Sequence, residues 1–111
     1  MTLQPHPRSR QIAALNDLAR QTFQGCRIML TSGVQKLDKQ FDILQKVRGF
    51  DQFTEDNDPY GEHDFGVFEF EGSRIFWKFD YYDQNTEWGS PDPSDPEQTT
   101  RVLTIFLAEE Y

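Results

Sequence analysis

The spacing of apolar residues changes near Phe50, and that change constrains the fold more than any other feature of the sequence. Before it, apart from one short strand, apolar residues recur every three or four positions, the repeat of a helix buried on one side. After it the patterns are those of strands. Ile12, Leu15, Leu18, Ala19, Thr22 and Phe23 predict a first helix that starts at Ser9 as N-cap and stops at Gly25. Cys26–Thr31 predicts a short strand with Cys26, Ile28 and Leu30 on one side, ended by Ser32-Gly33. Val34, Leu37, Phe41, Leu44 and Val47 predict a second helix, closed by Gly49, with Lys36, Lys39, Lys46 and Arg48 off its apolar stripe.

Beyond Phe50, residues 51–64 form a polar loop crowded with turn formers. Phe65–Glu71 and Arg74–Asp83 are strand-like and joined around Glu71-Gly72-Ser73, which predicts a hairpin. In its second strand Ile75, Trp77, Phe79 and Tyr81 share the better core face, opposite Phe76, Lys78, Asp80 and Tyr82. Residues 84–98, with Pro91, Pro93 and Pro96, read as a long connection of successive turns. The final run Thr100–Ala108 is apolar with little alternation, the pattern of a central strand covered on both faces. The sum is an α+β fold: a tail over residues 1–8, then one domain over 9–111. In that domain two N-terminal helices pack on a small antiparallel sheet of three or four strands.

Composition narrows the function classes. One cysteine, Cys26, excludes an intramolecular disulfide. The N-terminus lacks the apolar core of a secretory signal, and no apolar run approaches the roughly 20 residues of a membrane span. These readings place the protein in the cytoplasm. Residues 1–50 hold eight Lys/Arg and three Asp/Glu, a net +5, whereas residues 51–111 hold three and sixteen, a net −13. A half-chain so acidic is unsuited to binding phosphate backbones and suited to a basic partner.

The sharpest chemical constellation is Asp56-Asn57-Asp58-Pro59-Tyr60-Gly61-Glu62-His63-Asp64, preceded by Glu55. Oxygen ligands on a loop suit a divalent cation, and Asp56, Asp58, Glu62, His63 and Asp64 are its candidate ligands. The opening D-x-D-x-x-G is similar to an EF-hand loop, but Tyr60 and Val67 stand where that motif needs oxygen ligands. In an enzyme, His63 would be a base oriented by Glu62 or Asp64, with Tyr60 polarising the substrate, and a nucleophile would have to be Cys26 or a serine. The plainer reading makes Asp58-Pro59 and Tyr60-Gly61 turns, with aspartates capping backbone amides. Phe65–Phe70 is similar to the aromatic strand of RNA-recognition motifs, yet its carboxylate flanks and the element order exclude that fold. Phosphate-binding glycine loops and nucleophile elbows are absent.

Five stretches together carry a resemblance: Asn16–Arg20, Val47–Asp51, Asp56–Gly66, Phe76–Asp83 and Arg101–Tyr111. With them the chain resembles the uncharacterised bacterial domain-of-unknown-function family DUF3768. The resemblance implies a small single-domain protein, often from genomes rich in plasmids or mobile elements, and assigns no activity to any residue.

The leading expectation is a non-enzymatic interaction protein whose binding residues are Asp56, Asp58, Tyr60, Glu62, Tyr81, Tyr82, Asp83 and Trp88. Its specific form is a nucleic-acid mimic that inhibits or regulates a basic nucleic-acid-binding protein. No cofactor, direct nucleic acid or membrane partner is expected. The alternatives are a metal-dependent enzyme centred on residues 55–64 and a DNA-associated regulator using the basic helix over residues 35–48.

Overall fold

The computed structural model describes residues 8–111. Of the tail assigned to residues 1–8, all but Arg8 lies outside them. Arg8 is anchored, because its carbonyl accepts from Ile12 N–H at 3.0 Å and its guanidinium pairs with Asp92 at 3.3 Å.

Helix α1 runs over Ser9–Thr22, strand β1 over Arg27–Leu30, helix α2 over Ser32–Lys36 and helix α3 over Gln40–Arg48. Strands β2 (Phe65–Phe70), β3 (Ser73–Tyr82) and β4 (Thr100–Leu107) follow, with short 3₁₀ turns at Pro96–Gln98 and Ala108–Glu110. The strand order is β1-β4-β3-β2. β2 pairs with β3, and β3 with β4, antiparallel as expected; β1 joins the other side of β4 in parallel, so the sheet is mixed. The hairpin turn places Glu71 and Gly72 at φ 49° and 84°, the left-handed pair that matches the twist of the flanking strands. β4 is central as expected, but among the described residues it is not covered on both faces: the helices pack on its core side, and on the other side Val102 and Thr104 stay partly exposed, so its apolar run reflects the aromatic and aliphatic residues of that second face.

The core lies on one sheet face. Ile75, Trp77 and Phe79 of β3 and Leu103, Ile105 and Leu107 of β4 pack against Ala19, Val34, Ile43 and Val47 of the helices. Trp77 is completely buried. Gly66 sits in register with it, and a Cβ there would overlap the indole ring, so this strand position needs glycine for space.

Three local expectations are corrected. The second helix does not run unbroken to Arg48: Asp38 turns left-handed (φ 54°) and divides it into α2 and α3. The basic helix over residues 35–48 is therefore split between two short helices joined by a left-handed residue. With the phase broken, Phe41 is 73% exposed and Ile43 takes the core position. In α1 the buried face is Ser9, Ile12, Ala13, Asn16, Ala19 and Arg20, while Leu18 is exposed. Ser9 lies inside the helix and Arg8 takes the N-cap place.

Candidate functional site

The polar side of α1 faces inward because the groups it meets are polar as well. Arg20 is 1% exposed. Its guanidinium donates to the carbonyls of Val47 at 2.8 Å and Arg48 at 2.9 Å, the open C-terminal end of α3, where a cation is favoured. It also donates to Asp17 at 3.2 Å and lies over the rings of Trp77 and Phe53, at 5.2 and 5.6 Å from their centres. One arginine thus closes a helix, orients a carboxylate and supports two rings.

Asp17 passes the connection to the acidic loop. Both of its oxygens lie 3.0 Å from His63 Nδ1, and the other ring nitrogen lies 3.7 Å from Asp58 Oδ2. The imidazole stacks on Phe53 with ring centres 3.9 Å apart. His63 has left-handed backbone (φ 54°), held by Asp58 Oδ1, which accepts the N–H groups of His63 and Glu62 at 3.0 and 3.1 Å. Asp58 therefore does the amide capping that the plainer reading assigns to it. Both ring nitrogens of His63 face carboxylates.

A second branch runs deeper. Asn16 Nδ2 donates to the Tyr81 hydroxyl at 2.8 Å and to the Glu62 carbonyl at 3.0 Å; Tyr81 donates to Glu62 Oε1 at 3.2 Å. Arg101 Nε donates to Asn16 Oδ1 at 2.9 Å, its NH2 group donates to the Pro93 carbonyl, and its guanidinium lies over the Tyr81 ring. Burial pushes the Tyr81 hydroxyl well above the ordinary phenol range and the Arg101 guanidinium below its own. Asp64 is likewise raised, first by burial and then by Asp58 and Asp80 nearby.

Of the residues singled out by sequence, Asp58, Glu62, His63 and Tyr81 meet in this network. Tyr60 and Asp56 are exposed, and Tyr82, Asp83 and Trp88 belong to a separate projection. There Asp83 Oδ1 accepts from Glu87 N–H at 3.0 Å, Asp83 N–H donates to the Trp88 carbonyl at 2.8 Å, and Trp88 is 74% exposed. Among the described residues no three His, Cys, Asp or Glu side chains are placed to hold a metal ion. Cys26 Sγ lies 3.9 Å from the Ala19 carbonyl, and burial raises its thiol pKa. Sequence reasoning misses Asn16, Asp17, Arg20, Phe53 and Arg101. The signal for the first of these is that Ser9, Ala13, Asn16 and Arg20 recur at helical spacing, a stripe of small and polar residues.

All five stretches on which the resemblance rests contribute to this network, through Asn16 and Arg20, Val47, Asp58 and His63, Tyr81, and Arg101. The fold and network define a small two-layer α+β protein with helices on one sheet face only. Residues 30–110 match the family described as "Protein of unknown function (DUF3768)", and the chain belongs to that family. Helix α1, with Asn16, Asp17 and Arg20, precedes the matched span. No curated protein and no solved structure matches the chain. Among the described residues no helix is long and apolar enough to cross a membrane.

Proposed function

We propose that this protein is a small acidic interaction protein of the bacterial cytoplasm, without catalytic activity of its own, that engages a basic nucleic-acid-binding protein. The observation that carries this reading is Trp88, three-quarters exposed beyond β3 in an acidic stretch of the chain. Residues 83–97 hold Asp83, Glu87, Asp92, Asp95 and Glu97 and no Lys or Arg. A rigid exposed indole offers a contact anchor, and spaced carboxylates imitate phosphates and steer a basic groove toward it. The polar network around His63 supports the same reading from the other side. Its contacts run to groups of the chain itself, which fixes the loop, and the imidazole is flanked by carboxylates where a general base would need a substrate proton.

The test is a titration of the labelled protein with a purified basic DNA-processing enzyme, followed by fluorescence anisotropy across a salt series, with duplex DNA as competitor. The reading expects binding that weakens steeply with salt, is displaced by DNA, and falls at least tenfold in Trp88→Ala. Absence of binding to such enzymes at low salt overturns it.

A further inference from the structure

We propose that the sheet face opposite the core, which no helix covers among the described residues, is the docking surface for a second copy of this chain, forming a two-fold symmetric dimer. The core cluster and the helices occupy one face. Strand alternation sends Phe65 and Val67 of β2, Phe76 of β3, and Val102 and Phe106 of β4 to the other. There Phe106 is buried beneath its neighbours, with Lys78 over its ring at 6.0 Å, while Phe65, Val67, Phe76 and Val102 remain partly exposed. Phe76 meets Phe65 and Phe106 edge-on at 5.4 Å each, and Tyr111 lies over the pair at 6.3 and 5.9 Å while remaining 88% exposed. Beside them a groove of about 380 Å³, walled by Phe65, Phe106, Tyr111, Lys78 and Thr104, is open to receive a side chain. A contiguous aromatic patch of this kind marks an interaction surface.

Charge identifies the occupant. This face carries Arg27, Arg74 and Lys78 against Glu69, Asp80 and Glu110 at the groove wall; Arg74 pairs with Glu69 at 3.0 Å and Lys78 with Asp80 at 3.3 Å. Three cations against three carboxylates leave the face neutral, so the whole net charge of −8 falls on the remainder of the chain. A basic partner is drawn to that acidic remainder. A second acidic copy is repelled everywhere except here, where its own near-neutral face fits by symmetry. Size agrees. Strands of 4, 6, 10 and 8 residues set about 4.8 Å apart give roughly 450 Å² in flat projection. Side-chain relief and Tyr111 add to that, toward the roughly 800 Å² per partner that stable pairs bury.

The test is the solution mass of the full chain by sedimentation velocity at about 100 μM, a concentration at which even micromolar association is nearly complete. The expected result is twice the 13.1 kDa chain mass. The dimer should tighten as salt rises, because the contact is apolar and its surroundings repel. Thr104→Arg and, independently, Val67→Lys should weaken it at least tenfold with unchanged circular dichroism. Should one of them fail to fold, the other serves alone. A monomer at that concentration, a dimer loosened by salt, or a dimer indifferent to the folded variants overturns the proposal. Trp88→Ala should leave the mass unchanged, so the dimer and the basic-partner reading stand or fall separately.

Discussion

The two acidic loops of this protein are close to interchangeable in composition and opposite in structure. Residues 51–64 contain six carboxylates and residues 83–98 contain five; neither contains a lysine or an arginine, and both contain proline. Yet the first is bound to distant parts of the chain: His63 to Asp17 and Glu62 to Asn16, each 46 residues away, with Phe53 under the Arg20 guanidinium. The second is tied to the fold by Arg8 on Asp92 and by buried Arg101 on the Pro93 carbonyl, but its other carboxylates accept from neighbours: Asp95 from Glu97 and Gln98, and Asp83 from Glu87, all within four residues. Acidic composition therefore does not decide how a loop is held. What separates the two is that the imidazole and ring of the first loop close on a buried arginine and its aspartate.

The strongest way to break this comparison is to remove the donor. Arg20→Ala leaves the α3 carbonyls and Asp17 without their cation and should cost about 3–4 kcal/mol in urea unfolding. A loss below about 1 kcal/mol would mean that the first loop is not anchored through it. Next, Asp58→Ala strips the acceptor from two backbone amides and should cost about 1–2 kcal/mol. Its hydrogen exchange should quicken across residues 58–64 and stay unchanged across 83–98.

Acidity separates the loops more finely. Burial raises the Asp64 carboxyl, so its ionised form is a cost to the folded state at neutral pH, and that cost disappears once the pH is below its ordinary value. Asp92 is lowered, first by its hydrogen bond from Ser94 and further by Arg8, so it contributes stability above its ordinary value and loses it as pH falls through the folded one. Asp64→Asn should thus raise stability at pH 7 and Asp92→Asn should lower it slightly, with both differences fading in acid. Equal signs in denaturant titrations would erase the distinction. The smallest stability effect belongs to Trp88→Ala, which should stay within about 0.5 kcal/mol of the parent. A larger loss would show the indole to be a packing residue after all.

The same contrast shows how far the sequence could be read. Strand alternation placed Trp77 and Phe79 in the core, and an unbroken apolar run made β4 central, because those residues have one reason to lie where they do. Asn16 and Arg20 have two: a polar residue on a helix reads as solvated until its partners are known, and apart from Asp17 those partners lie 27 to 85 residues away. Phe41 misleads for the complementary reason, since the left-handed turn at Asp38 resets the helical phase without any glycine or proline to announce it. The parallel pairing of β1 is likewise hidden, because a four-residue strand carries no mark of its direction.

That pairing also sets an order of events when the chain is made. Arg27 lies beside Val102, and β3 beside the same strand, so β4 leaves the ribosome after both of the strands it separates. Until it arrives, β1 has no neighbour and the β2–β3 hairpin is bare along one edge, with Trp77 and Phe79 lacking half their cover. Synthesis therefore passes through a stage in which aromatic strands wait unpaired, and the chain becomes safe from aggregation only when its last strand slots between the earlier ones.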